Sequence, residues 1–206
     1  MHHCLMERER RRLVLLRHGE TEWAADGRHT GITDIPLTPY GERQARTAGR
    51  SIAELDLHHP LVMSSPRRRA AHTAELAGLA IERTWDALGE WDYGEYEGLT
   101  TPEIRVHVPH WTVWTHPCPG GETVDSVSAR ADMVLSVAEP ALSERDVVLV
   151  GHGHFSRVLI ARWAEFAATE GKRFALDPAS YSVVGYEHSY HQVITHNVDS
   201  RTPREE

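Results

Sequence analysis

Two aliphatic runs in this chain each end in a histidine followed by glycine: Leu13-Val14-Leu15-Leu16-Arg17-His18-Gly19-Glu20 and Val147-Val148-Leu149-Val150-Gly151-His152-Gly153. An imidazole near neutral pH can act as nucleophile, general base or hydrogen-bond donor, and a glycine beside it lets backbone approach a ligand closely. Arginines accompany both the first histidine and a third aliphatic stretch. Arg17 adjoins His18, and Leu61-Val62-Met63 runs into Ser64-Ser65-Pro66-Arg67-Arg68-Arg69. Guanidinium groups grip phosphate or carboxylate at two points, and a helix opening at that place adds its own attraction for anions. A fourth segment, Leu88-Gly89-Glu90-Trp91-Asp92-Tyr93-Gly94-Glu95-Tyr96-Glu97-Gly98, alternates acidic and aromatic residues between glycines. That pattern suits a tightly packed irregular loop with one carboxylate aimed inward as a general acid. Histidines and arginines gathered at strand ends describe a phosphate pocket that needs no metal.

These side chains meet only if the elements carrying them are neighbours. Strand-like runs alternate with helix-like stretches, the signature of an α/β domain with a mostly parallel sheet. Ligands of such sheets bind beyond the carboxyl ends of the strands, where both His-Gly pairs fall. Thr38-Pro39 opens a helix reaching about Leu55, and Ser65-Pro66 opens another by the same device. Val127, Ala131, Val134 and Ala138 recur at helical spacing, and a further helix covers Phe155 to about Phe166. Tyr181–Glu187 and Gln192 to His196 read as a closing pair of strands. The chain is expected to form one three-layer α/β/α domain over 13–198, with a flexible arm over 1–12 and a polar tail over 199–206. The stretch 99–123 holds Trp111, Trp114 and a short helix opened by Thr101-Pro102. So long an excursion in a compact domain is usually functional, and it is expected to cap the site with an aromatic rim.

Composition narrows the function classes. At 206 residues the chain suffices for one core. A net charge of −8 argues against a general nucleic-acid binder. No apolar run approaches the ~20 residues that span a bilayer, so no membrane partner is expected. Two cysteines, Cys4 and Cys118, cannot build a disulfide framework, and the Arg-rich N-terminus lacks the apolar region of a signal peptide. A reducing cytoplasm is the expected setting. The C-terminal strands offer an edge at which a second subunit could form a homodimer.

Read in order, the motifs form a family pattern. Arg17-His18-Gly19-Glu20-Thr21, Gly27-Arg28, Asp34-Ile35-Pro36-Leu37-Thr38 and Gly41 are followed by Ser64-Ser65-Pro66, Arg69-Ala70 and Thr73-Ala74. Then come Glu90, Gly94, Glu97-Gly98 and His152-Gly153. Over about residues 13 to 157 the chain resembles the histidine phosphatase superfamily, which comprises phosphoglycerate mutases and related phosphatases. The resemblance implies His18 as the nucleophile that takes the phosphoryl group, Arg17 and Arg69 as ligands of its oxygens, His152 as the stabiliser of the transferring group, and Glu90 as the proton donor. Arg67 and Arg68 are then surface residues. Thr30, Gly31, Tyr93 and His154 are the implied substrate contacts, and the scheme calls for no cofactor and no metal.

Within that family the inserted segment of cofactor-dependent mutases supplies a lysine and an Arg-Arg pair to hold phosphoglycerate. Residues 99–122 here contain Arg105 and no lysine, which favours water as the final acceptor. The resemblance thus points to the broad-specificity acid phosphatase branch acting on small phosphorylated substrates, with phosphoglycerate mutase as the alternative and a phosphate-binding scaffold as the non-enzyme reading. The sequence departs from the common pattern at Ala24, where asparagine is usual, and at the bulky His154. Two rival patterns are weaker. His152-x-His154 could be half of a metal site, and Gly151-His152-Gly153-His154-Phe155-Ser156 nearly matches a dinucleotide fingerprint.

Overall fold

The computed structural model describes residues 11–199. The expected arm over 1–12 and tail over 199–206 lie, but for residues 11, 12 and 199, outside the described residues. The strands are β1 (Leu13–Arg17), β2 (Leu61–Ser64), β3 (Arg83–Thr84), β4 (Val147–Gly151), β5 (Tyr181–Glu187) and β6 (Tyr190–Val198). The helices are α1 (Glu22–Ala25), α2 (Pro39–Ala53), α3 (Arg68–Leu76), α4 (Thr101–His107), α5 (Val124–Ala141) and α6 (Gly153–Trp163), with short 3₁₀ turns between them.

The strands form one mixed sheet in the order β3-β2-β4-β1-β5-β6. The first four in that order are mutually parallel, while β5 runs antiparallel to β1 and β6 antiparallel to β5. Because successive side chains leave a strand on opposite faces, the aliphatic runs serve two cores at once. Val14, Leu16, Val148 and Val150 pack against Ala48 and Ile52 of α2 and Ala70 and Ala74 of α3. Leu13, Leu15 and Leu149 face Val127, Ala131 and Val134 of α5 and Phe155, Val158 and Leu159 of α6. Strands buried on both faces carry unbroken apolar runs, as parallel strands covered by helices do.

Local signals account for most helix starts. Thr38 caps α2 by accepting from Gly41 N at 3.0 Å, with Pro39 in the first turn. Helix α4 carries a full capping box between Thr100 and Glu103, one residue ahead of the expected cap. Helix α3 differs from expectation: it begins at Arg68, with Arg67 in extended geometry at the N-cap. The reason lies in the sheet. Ser65 N still donates to Val150 O at 2.9 Å, continuing the β2–β4 ladder, so the chain must turn before it can coil. Helix α6 starts two residues before Phe155 and stops at Trp163, where Glu165 turns the chain with φ 64°.

The aromatic excursion contributes to the core. Trp111 and Trp114 are only 1% and 8% exposed and belong to the core beside α5 and α6. Trp91 and Trp114 meet edge to face at 5.7 Å, as do Tyr96 and Trp111 at 5.3 Å. Burial of the two indoles is a large apolar gain, and their edges reach towards the C-terminal ends of the strands, Trp111 meeting His29 at 5.2 Å and Trp114 meeting His154 at 5.3 Å. Among the described residues no helix is long and apolar enough to cross a membrane.

Candidate active site

Register brings the two His-Gly pairs together. Arg17 is the partner of Gly151 in the β1–β4 ladder, and His18 N donates to Gly151 O at 2.9 Å. His18 and His152 therefore leave adjacent strands side by side, with ring centroids 5.2 Å apart. His18 Nδ1 lies 2.7 Å from Gly19 O. A carbonyl can only accept, so Nδ1 holds the ring proton and Nε2 keeps its lone pair. Burial, followed by the charges of Arg69 and Arg17, holds the His18 pKa well below the usual imidazole value, and the Gly19 bond opposes them only in part. The ring is neutral.

His152 is fully buried and has the opposite tautomer. Its Nδ1 accepts from Arg69 Nε at 3.2 Å, leaving Nε2–H to donate to Ser65 Oγ at 2.8 Å. Burial and Arg69 hold its pKa well below the ordinary range as well.

The two arginines differ in what they have left to offer. A guanidinium has five N–H donors. Arg69, wholly buried on α3, commits four: Nε to His152, Nη1 to Thr33 O at 2.8 Å, and Nη2 to Thr30 O and Gly31 O at 3.1 Å each. Glu97 grips the same loop from the other side, accepting from Gly31 N and Thr33 N. Arg17 commits only Nη1, to Leu176 O at 2.5 Å, and its buried Nε has no partner among the described residues. A Cβ at Gly153 would lie 3.2 Å from Arg17 Cζ. Glycine at the start of α6 thus makes room for the guanidinium.

Glu90 sits at the N-terminus of α6. Its Oε1 accepts from Trp91 N at 2.9 Å and Phe155 N at 2.7 Å, and its Oε2 from His154 N at 3.0 Å. The loop carrying it is clamped by Arg130 of α5, which uses all five N–H groups. They reach Ala87 O, Gly89 O, Glu90 O and both carboxylate oxygens of Glu122. Arg130 also lies over the Phe155 ring at 3.9 Å.

These groups border a crevice of about 180 Å³. Of the residues singled out from sequence, Arg17, His18, Thr30, Glu90, Tyr93 and His154 line it, whereas Gly31, Arg69 and His152 form the buried layer next to it. Arg67 is half-buried and Arg68 is exposed. Tyr93 Oη and His154 Nδ1 share a 2.6 Å hydrogen bond. Burial raises the Tyr93 pKa well above the phenol range and lowers that of His154, which Arg157, His29 and Arg17 lower further. Both groups are neutral. Sequence reading passed over His29 and Arg157, and gave Arg28 no role in the site. Arg157 had a findable signal, since it stands four residues after Gly153 and shares its helix face.

The His152-x-His154 pair does not converge in this geometry. The nitrogens of His152 are taken by Arg69 and Ser65, and His154 turns instead to Tyr93. Cys118 is buried, and that burial pushes its thiol up to about 11.

A mixed α/β sheet that sets two neutral histidines beside two arginines and a carboxylate defines a phosphoryl-transfer site of the phosphohistidine type. The model of the histidine phosphatase superfamily, branch 1, matches residues 13–199, and the chain belongs to that family. It is 52% identical to an acid phosphatase of Mycobacterium tuberculosis, across 88% of this chain and 90% of that protein. A solved structure of a Mycobacterium tuberculosis open reading frame superposes with a TM-score of 0.91 at 50% identity, covering 93% of this chain and 99% of the other. A mycobacterial glucosyl-3-phosphoglycerate phosphatase, solved with VO3, reaches a TM-score of 0.77 at 30% identity, covering 91% and 98%.

Proposed function

We propose that this protein is a phosphomonoester hydrolase of the acid phosphatase type, acting on small phosphorylated metabolites through a phosphohistidine and without a metal. The observation that carries the reading is the His18 tautomer: a neutral ring, its proton fixed on Nδ1 by Gly19 O, beside an arginine with uncommitted donors.

In the first step the Nε2 lone pair of His18 attacks phosphorus, the ester P–O bond breaks, and Glu90 gives its proton to the departing oxygen. Arg17 supplies most of the charge stabilisation at the equatorial oxygens, Arg69 adds its remaining N–H, and the Nε2–H of His152 turns from Ser65 to the phosphoryl group. In the second step Glu90, now a carboxylate, takes a proton from water. The resulting hydroxide attacks phosphorus, the P–N bond breaks, and the electron pair returns to His18. The likeness to a curated acid phosphatase supports the hydrolytic outcome.

The test is phosphate release from p-nitrophenyl phosphate, 3-phosphoglycerate and sugar phosphates with a chelator present, alongside a coupled assay for 2-phosphoglycerate. Release should survive the chelator and vanish in His18→Ala, and quenching the wild type should trap an acid-labile phosphoenzyme. Isomerisation without net release would overturn the hydrolase reading in favour of a mutase.

A further inference from the structure

Beyond the phosphate seat the crevice continues along the first turns of α6, and its wall there is cationic and imidazole-rich: Arg28, His29, His154 and Arg157. Arg157 is held with care. Its Nε donates to Gly171 O at 3.0 Å, its Nη2 donates to Lys172 O at 3.1 Å, and the guanidinium lies 4.9 Å from the Trp114 ring centroid. Three supports fix the plane and leave Nη1 without an acceptor among the described residues. No carboxylate forms an ion pair with Arg157 within that set.

Holding an unpaired cation there has a cost. Burial lowers the Arg157 pKa; the charge of Glu90 opposes that shift, and the charge of Arg17 adds to it. An arginine locked by carbonyls, stacked on an indole and directed at a crevice is preorganised for an anion that arrives with the ligand. Its place on α6 sets the distance. Four residues separate it from Gly153, against which Arg17 packs, so the two anion-binding arms are offset by about 6 Å along the helix.

We propose that Arg157 forms a second anion subsite, selecting phosphomonoesters that carry another anionic group, a carboxylate or a second phosphate, about one helical turn from the scissile phosphate. The inference rests on the phosphatase reading and adds the substrate class to it. Arg28 stands at the mouth of the same wall and contributes a more exposed charge. The cations that the sequence reading sought in the 99–122 excursion thus come from elsewhere in the chain.

The experiment compares matched substrates. Glycerol 3-phosphate and 3-phosphoglycerate differ by a carboxylate, and fructose 6-phosphate and fructose 1,6-bisphosphate differ by a phosphate. The wild type should favour the more anionic member of at least one pair by about tenfold to a hundredfold in kcat/KM, mainly through KM. Arg157→Met should collapse that ratio towards one, with Arg157→Lys restoring part of it. A ratio within one enzyme preparation does not depend on the fraction folded, so partial misfolding cannot imitate the result. The pair that responds identifies which anion the subsite takes. Wild-type ratios near one in both pairs, or a ratio untouched by Arg157→Met, overturn the subsite. Loss of all His18-dependent hydrolysis across the panel would instead overturn the phosphatase reading beneath it.

Discussion

Replacing Glu90 by Gln separates the proton donation proposed for this side chain from its anchoring of the α6 N-terminus. In the folded chain Glu90 accepts three backbone N–H groups, two on Oε1 and one on Oε2. Glutamine can place its carbonyl oxygen on the Trp91 and Phe155 donors, but its amide nitrogen then faces His154 N, donor against donor. One hydrogen bond is lost and a part-buried N–H goes unsatisfied, a destabilisation of about 1–3 kcal/mol. The catalytic loss has a different signature. An alkyl phosphate needs a proton on its leaving oxygen, so its kcat should fall about 10²- to 10⁴-fold, the usual contribution of a positioned general acid. A nitrophenolate departs without a proton, so p-nitrophenyl phosphate should lose far less. The assay is single-turnover kinetics on glycerol 3-phosphate and p-nitrophenyl phosphate with wild type and Glu90→Gln, folding being checked by thermal melts. Equal losses on the two substrates would refute proton donation and reduce Glu90 to an anchor of the α6 N-terminus.

Two further outcomes follow from the surroundings of the site. Arg130→Met strips the clamp from the Glu90 loop and leaves three carbonyls and the half-buried Glu122 without their donor. It should cost about 3 kcal/mol, lowering Tm by about 6–12 °C. Its kinetic loss should be confined to alkyl phosphates and absent from the Glu90→Gln background, and additive losses would show that Arg130 does not act through Glu90. Stability should also fall in acid. His18, His29, His152 and His154 all have pKa values lowered by burial, His29 to about 4. Below the unfolded value of 6.5 the unfolded chain binds protons that the folded one refuses. The stabilisation is therefore complete above pH 6.5 and drains away as pH falls towards the folded values, by about 1.4 kcal/mol per pH unit for each histidine in its window. Tm measured from pH 7 to 4.5 should drop less steeply in His29→Gln. An unchanged slope would place the acid sensitivity elsewhere.

Much of this architecture was legible because single residues announce it. Thr38-Pro39 marks the start of α2 through a side-chain acceptor and a residue that needs no donor. The four-residue aliphatic runs announce strands covered on both faces, and the His-Gly ends announce the crevice beyond them. What stayed hidden depends on contacts distant in sequence. The start of α3 was read too early because nothing local reveals that Ser65 is still paired with Val150. Trp111 and Trp114 could be placed on the excursion but not on a side of it, since an indole suits a rim or a core equally. Arg130 reaches a carbonyl 40 positions away, and Arg157 depends on carbonyls from the turn after its own helix. Neither belongs to a motif; helical spacing from Gly153 hints at Arg157, but the carbonyls that hold both arginines are set only by folding.

The β1–β4 register has a consequence for how such a protein can change. The spacing of the two imidazoles is a lattice constant of the sheet, about 4.8 Å between neighbouring strands, and the 5.2 Å between ring centroids hardly departs from it. Insertions and deletions in the loops cannot stretch that gauge while Arg17 and Gly151 stay paired. The excursions are free to lengthen, shorten or be exchanged, as fittings on a frame already trued. In such a lineage the reaction would be inherited through the sheet, and the diet would be rewritten in the loops and along the crevice-facing flank of α6.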